Sequence, residues 1–201
     1  MLVQSLICAA LYVFVKFFDY QLGTLYAFRP IVVCPLLGLI LGDLQTGLAL
    51  GASIEALFMG SVSIGAYIPP DATYAGVLCT AYVILLGLDT EVAVGLAMPI
   101  GTLVLALSNL FQPITNWLLS FVPKFAAEGN GAKLTALHFF IALYVAPVYF
   151  AVIFFAVYLG SDAVAWITNT VPEFVLNGFA AAANILPVNG FALLLRRIYR
   201  K

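Results

Sequence analysis

Charged residues divide the chain into two halves with different hydrophobic patterns. In the C-terminal half, three uncharged stretches reach the ~20 residues that a helical membrane span requires. They are Val92–Val122, Leu134–Gly160 and Phe174–Leu195. The first is longer than a simple span and contains Pro99 and Pro113, which predicts a helix that is tilted, kinked or broken.

Single charges cut the N-terminal half into shorter apolar pieces. Pro30–Gly42, Leu44–Ile54 and Ala56–Pro70 are each too short to cross a membrane alone, and they are rich in glycine and proline. Such interrupted segments are typical of discontinuous or re-entrant helices in transporters. Irregular backbone at membrane depth is tolerated only where it lines a cavity enclosed by protein. The first 20 residues lack the basic leader and cleavage site of a signal peptide and predict a retained membrane segment.

Composition makes lipid the solvent of most of this chain. Of its 201 residues, 64% are hydrophobic and only 8% are charged, whereas soluble domains carry about 25% charged residues. The fold class predicted is an all-α polytopic membrane protein, with a bundle of broken or re-entrant helices in the N-terminal half. We expect one membrane domain over residues 1–201. The net charge of −1 gives no basic face for nucleic acid.

Basic residues predict the orientation of the C-terminal half. Lys124 and Lys133 lie in one polar loop, and the chain ends in "RRIYRK". Because short basic loops favour the cytoplasm, both are expected inside. The connector Asp162–Glu173 and the turn Asp89–Glu91 then lie outside. The charges leave the orientation of the N-terminal half open.

Glu55 is an isolated acid inside an apolar stretch, with no charge in sequence between Asp43 and Asp71. A carboxylate at mid-bilayer costs ~2.5–3.5 kcal/mol on insertion scales. It either lines a watery cavity and accepts hydrogen bonds from a polar ligand, or forms a structural bridge with Arg29 or Lys16.

Two other acids follow helix-breaking residues. Asp71 comes after two prolines and before an uncharged run, so it is an N-cap that could also bind sugar hydroxyls. Asp43, in "LGDLQTG", predicts a second break and cap. Gln45 and Thr46 beside it are either ligand contacts or residues that begin a helix.

Three amides further along share one helix face by their spacing. Asn109, Gln112 and Asn116 are separated by three and four residues, which places them on neighbouring turns. They either line a pore or form hydrogen bonds to another helix.

Several kinds of chemistry find no support in the residues. His138 is the only histidine and is interpreted as a packed or interface residue. Cys8, Cys34 and Cys79 lie in apolar stretches and are interpreted as small buried residues. There is no nucleotide-binding P-loop, no Ser-His-Asp set and no metal-binding cluster of His and Cys. We expect no catalytic residue, metal or cofactor, and a permease whose energy comes from elsewhere.

The segment from Phe28 to Leu78 resembles a known family. Its landmarks are "RP", "GLILGDLQTG", a glycine-rich helix with Glu55, and "PPDA"; a later stretch, "VPEFVLNGFAAAANILPVNGFALLL", fits the same pattern. The chain resembles the IIC component of the mannose-family (mannose, fructose, sorbose, N-acetylgalactosamine) sugar phosphotransferase systems.

The resemblance implies a multi-pass subunit of the bacterial inner membrane that binds a hexose or amino sugar. It implies inward movement by an elevator-like shift, coupled to phosphorylation of the sugar by partner subunits. The implied partners are a IID membrane subunit and the cytoplasmic IIA and IIB proteins, with a homo-oligomer of IIC–IID units. The implied substrate-binding residues are Glu55 and Asp71, with Asp43 and Gln45 as weaker ones.

The sequence departs from the family in one respect. Members usually continue for several tens of residues beyond the region that matches "GFALLLR", so we expect either a C-terminal truncation or a naturally short variant. Two alternatives to transport follow from the residues: a non-transporting scaffold subunit of the same complex, and an unrelated channel or ion-coupled carrier.

Overall fold

The protein is a bundle of α-helices. The computed structural model describes residues 1–22, 26–59, 68–182 and 185, and these ranges contain no strand. The helices are α1 (Leu2–Leu22), α2 (Pro30–Leu41), α3 (Leu44–Phe58), α4 (Ala72–Leu86), α5 (Thr90–Leu119), α6 (Val122–Ala127), α7 (Gly131–Tyr144), α8 (Ala146–Tyr158) and α9 (Gly160–Thr170). A 3₁₀ turn over Tyr26–Phe28 precedes α2, and residues 173–182 are also helical. The all-α prediction is confirmed.

Within the described residues, three stretches are long and apolar enough to cross a membrane. They are Leu2–Asp19, Thr90–Ala127 and Gly131–Tyr158. The first corresponds to the predicted N-terminal segment, and the other two correspond to the first two predicted runs. The third predicted run, Phe174–Leu195, lies mostly outside the described residues.

Prolines have different effects in two of these stretches. Helix α5 continues for 30 residues through both Pro99 and Pro113, so no break occurs there. The run predicted as Leu134–Gly160 is divided at Val145 into α7 and α8. Pro147 lies in the first turn of α8, where its missing N–H removes no helical hydrogen bond.

Helices α2 and α3 form a hairpin with a tight turn. Gly42 ends α2 at φ 94°, a left-handed conformation that glycine adopts without strain. Asp43 then caps α3 by accepting hydrogen bonds from the Thr46 amide at 3.0 Å and the Thr46 hydroxyl at 2.6 Å. The predicted break and cap at Asp43 therefore occur as a turn between two helices.

Helices α2, α3 and α4 are shorter than a membrane span. They contain 12, 15 and 15 residues, or roughly 18 to 23 Å at 1.5 Å per residue, against a hydrocarbon core of about 30 Å. That these short helices are broken or re-entrant within the bilayer stays a prediction.

Helix α4 lies at the centre of the bundle. Every residue from Tyr74 to Tyr82 is buried, and a helix that is buried all round belongs to the interior of a bundle. One apolar cluster joins α4 to α1, α2 and α8, and a second joins it to α3 and α5. The start of α4, which carries Asp71, is therefore held by packing from several helices.

Candidate binding cavity

A cavity of about 570 Å³ lies where the start of α4 meets α1, α5, α7 and α8. Its volume is within the range of about 300 to 1,000 Å³ for small-molecule sites. Its charged lining residues are Lys16, Asp19, Arg29 and Asp71. Its other hydrogen-bonding side chains include Thr73, Ser108, Asn109, Gln112, Thr115 and Tyr149.

Asp71 both caps α4 and lines this cavity. One carboxylate oxygen, Oδ1, accepts a hydrogen bond from the Tyr74 amide at 2.9 Å. The other, Oδ2, accepts one from Lys16 Nζ at 2.9 Å and one from the Tyr12 hydroxyl at 2.8 Å. The capping interpretation of Asp71 is therefore confirmed, and its role in binding a ligand stays a prediction.

Arg29 joins the cavity to Glu55. Its Nε lies 2.5 Å from Glu55 Oε1, so of the two bridge partners named for this acid, the structure selects Arg29. Glu55 is not among the described lining residues, and its side chain is only 12% exposed. Its second oxygen, Oε2, is buried and has no hydrogen-bond partner in the described part of the chain. Glu55 is therefore connected to the described lining of the cavity through its contact with Arg29.

Two ion pairs contribute charged groups to the described wall, Lys16 with Asp71 and Arg29 with Glu55, which lies behind it. Asp19, the other charged lining residue, belongs to neither of these pairs. Guanidinium, ammonium and carboxylate groups can each take part in several hydrogen bonds at once. A wall of this kind suits a ligand with many hydroxyl groups and no net charge better than it suits an ion.

Asp43 and Gln45 lie elsewhere, at the α2–α3 turn. Asp43 is engaged by Thr46 as a helix cap, and Gln45 is exposed in the first turn of α3. Neither belongs to the described lining of the cavity. Their role in binding stays a prediction.

Lys16 and Tyr12 were not predicted as partners of Asp71. Lys16 was named only as a possible partner of Glu55. Lys16 has the same kind of sequence signal as Glu55, because it is a charged residue within an apolar stretch. The stretch around Lys16, Leu2–Asp19, is long enough to span a membrane. Tyr12 is fully buried, and no sequence feature distinguishes it from the other tyrosines.

His138 and the three cysteines lie outside the described lining of the cavity. His138 Nε2 is 3.0 Å from Gln21 Oε1 of α1, so this histidine contacts a neighbouring helix. Cys8, Cys34 and Cys79 are all buried, which confirms that part of their interpretation.

A comparison with protein families identifies the chain. The family model described as "PTS system sorbose-specific IIC component" matches residues 2–201. The chain belongs to this family of sugar phosphotransferase IIC components. The resemblance that the Phe28–Leu78 segment indicated is thereby confirmed. The alternative of an unrelated channel or ion-coupled carrier disagrees with this family match.

Curated relatives of this IIC component have different sugars in their names. The chain is 36% identical over 199 residues to N-acetylgalactosamine permease IIC component 1 of Escherichia coli K12, covering 99% of this chain and 74% of that protein. It is 30% identical over 171 residues to the mannose-specific EIIC component of the same organism, covering 83% of this chain and 63% of that protein. The chain thus spans between about two thirds and three quarters of these relatives.

A solved structure shares the fold of this IIC component. A chain in the cryo-EM structure of the mannose transporter ManYZ with microcin E492 has a TM-score of 0.67 and 26% sequence identity. The match covers 98% of this chain and 80% of that one. Together with the three apolar stretches long enough to span a bilayer, the match describes a multi-pass membrane protein.

Proposed function

We propose that this IIC component is the sugar-binding and sugar-translocating subunit of a phosphotransferase permease in the bacterial inner membrane. It takes up a hexose or amino sugar from outside and moves it inward. A IID subunit shares the membrane with it, and the cytoplasmic IIA and IIB proteins supply the phosphoryl group. The complex is a homo-oligomer of IIC–IID units.

The observation that carries this proposal is a cavity of about 570 Å³ lined by the Lys16–Asp71 pair and by Arg29 of the Arg29–Glu55 pair. Ionisable groups within membrane proteins usually mark a substrate pathway. A sugar hydroxyl can donate to the Asp71 carboxylate and accept from the Arg29 guanidinium. Because the charges are paired, a neutral sugar can replace water at these groups without leaving an uncompensated charge in the membrane.

Glu55 and Asp71 are proposed as the principal substrate-binding residues, the first through Arg29 and the second directly. Asp43 and Gln45 are proposed as weaker contacts. The family resemblance is the only support for these two, since they lie at the α2–α3 turn.

The test compares conservative variants in the complete complex. We expect Glu55→Gln to abolish sugar uptake while membrane insertion remains intact, because the amide keeps the volume but loses the charge that orients Arg29. Asp71→Asn should preserve folding, since an asparagine still caps α4, and should weaken uptake. Uptake of labelled hexoses and amino sugars by cells that express the partner subunits measures both effects.

The matched control is Glu128→Gln, because Glu128 also forms an ion pair, with Lys133 at 2.9 Å, but at an exposed site. We expect its uptake to equal that of the unaltered protein. Normal uptake by a well-expressed Glu55→Gln variant would show that this acid is structural. Failure of the purified complex to bind any sugar in the panel would instead support a scaffold subunit.

A further inference from the structure

Helix α5 presents a row of polar side chains to the cavity. Ser108, Asn109, Gln112 and Thr115 all line it. They lie within the stretch Thr90–Ala127 that is long and apolar enough to span a membrane, with Asn109 about midway. Because a carboxamide loses its hydrogen bonds when it faces lipid, the side chains of Asn109 and Gln112 need a polar environment, and the cavity provides one.

Two of the four residues fix the rotation of α5. The Ser108 hydroxyl lies 2.5 Å from the Tyr149 hydroxyl of α8. Two helical turns further on, the Thr115 hydroxyl pairs with that of Tyr144 at the end of α7. Both α5 hydroxyls also donate to carbonyls of their own helix. These two contacts, which we call the tyrosine clamps, hold the intervening face of α5 toward the cavity.

The two amides between the tyrosine clamps keep hydrogen-bonding capacity. The Asn109 side chain makes no hydrogen bond to another described residue. Gln112 donates through Nε2 to Asn116 Oδ1 at 3.2 Å, which leaves its own carbonyl oxygen and a second N–H available. The tyrosine clamps fix the helix from which these groups project, so little freedom of the helix itself is lost when a ligand binds.

We propose that Asn109 and Gln112 are specificity-determining residues that recognise the configuration of the hydroxyl or acetamido groups on the bound sugar. This inference rests on the proposed function of the cavity. A carboxamide offers both a donor and an acceptor, so it can match a hydroxyl in one orientation and mismatch it in the epimer. The charged groups at Arg29 and Asp71 hold any polyol, whereas the neutral amides distinguish one sugar from another.

The first test measures the binding preference of the purified complex with its native membrane and cytoplasmic partners. The probes are D-mannose, D-glucose, N-acetyl-D-galactosamine and L-sorbose. The variants are Asn109→Leu and Gln112→Met, which keep most of the side-chain volume and remove the hydrogen bonds. The control is Thr102→Val, because Thr102 is exposed on α5 outside the cavity and donates only to its own helix at Met98.

For each amide variant we expect affinity for the preferred sugar to fall about 3- to 10-fold, the loss of one hydrogen bond. Affinity for the least preferred sugar should change less. The preference ratio, which is the affinity for the preferred sugar divided by that for the least preferred one, should therefore fall. The Thr102→Val ratio should stay unchanged. An unaltered preference ratio in both amide variants would overturn the inference while leaving the proposed function intact. If the unaltered complex binds none of the four sugars, the proposed function fails, and this inference fails with it.

A second test labels a cysteine at position 109, and it does not depend on how well the Asn109→Leu variant binds sugar. Asn109→Cys places a thiol at the cavity, while the three native cysteines are buried. We expect a small water-soluble thiol reagent to modify this cysteine and the preferred sugar to slow the reaction several-fold. Thr102→Cys should show no protection by sugar. An Asn109→Cys thiol that is unreactive, or that reacts equally fast with and without sugar, would show that the amide contacts another helix or subunit.

Discussion

Two ion pairs link residues that are far apart in the sequence but adjacent at the cavity. Lys16 and Asp71 are separated by 55 positions, and Arg29 and Glu55 by 26. Isolated charges are costly within a membrane, and a partner with good geometry offsets much of that cost. The pairs therefore allow charged groups to line a cavity in a chain that is otherwise apolar.

The Lys16–Asp71 pair makes a prediction about stability that is separate from transport. Lys16→Met should destabilise the protein by about 1–3 kcal/mol, because it leaves the partly buried Asp71 carboxylate with one fewer hydrogen bond and no positive partner. The double variant Lys16→Met/Asp71→Asn should be more stable than Lys16→Met alone, since the amide carries no charge and still caps α4. The apparent Tm of the purified complex measures this difference. Equal losses in the single and double variants would show that the pair contributes no electrostatic stabilisation.

For individual residues, the sequence predicts that a buried charge needs an ion-pair partner better than it predicts which residue that partner is. The isolated position of Glu55 indicated either a ligand or a bridge, and Arg29 was one of two named partners. Lys16 was the other, and its actual contact is Asp71. Sequence spacing could not decide between them, because the pairing depends on how α1 and the α2–α3 hairpin pack around α4.

At the scale of elements, the α2–α3 hairpin is held by direct backbone contact. A Cβ added to Gly47 would lie 2.6 Å from the Cys34 carbonyl oxygen and 3.0 Å from Gly38 Cα. Small residues allow helix backbones to approach closely in membrane proteins. The glycines that were interpreted as signs of broken helices are therefore also packing residues.

We predict that Gly47→Ala destabilises the protein by about 1–3 kcal/mol, because α2 and α3 must separate to accept the methyl group. The control is Gly178→Ala in the helical residues 173–182, where an added Cβ would meet no described atom within 4 Å. This control should be neutral or more stable by about 0.5–1 kcal/mol, since alanine favours a helix over glycine. The apparent Tm of each variant is the measurement. A Gly47→Ala protein as stable as the control would contradict the tight packing.

Element lengths were predicted more reliably than element boundaries. Uncharged runs identified α5 and the α7–α8 stretch, because a membrane span imposes a minimum length. The division at Val145 was missed because the run is apolar on both sides, and only Pro147 marks it. Conversely, Pro99 and Pro113 did not end α5, which continues through both.

At the scale of the whole molecule, the distribution of basic residues predicts how the bundle lies in the membrane. Lys124 and Lys133 flank the α6–α7 connection, and the connector that includes α9 lies at the other end of the α7–α8 stretch. The positive-inside rule places the first connection in the cytoplasm. We then expect the second to face the exterior.

Single cysteines test this orientation. In intact cells we expect Glu173→Cys to react with a membrane-impermeant maleimide, and Glu128→Cys to react only after lysis. Both side chains are exposed, and the Glu128–Lys133 pair at the surface stabilises the fold by at most about 1 kcal/mol. The unsubstituted protein, whose cysteines are buried, serves as the blank. Labelling of Glu128→Cys alone before lysis would reverse the assignment.

The Arg29–Glu55 pair also has a mechanical consequence. Arg29 directly precedes α2 and Glu55 belongs to the last turn of α3, so their contact fastens the end of the hairpin opposite the turn at Gly42 and Asp43. The two helices are thereby connected at both ends, and between the ends they pack closely at Gly47. If a sugar binds the Arg29 guanidinium as proposed, we expect the hairpin to respond as one body, because the guanidinium contacts α3 and directly precedes α2.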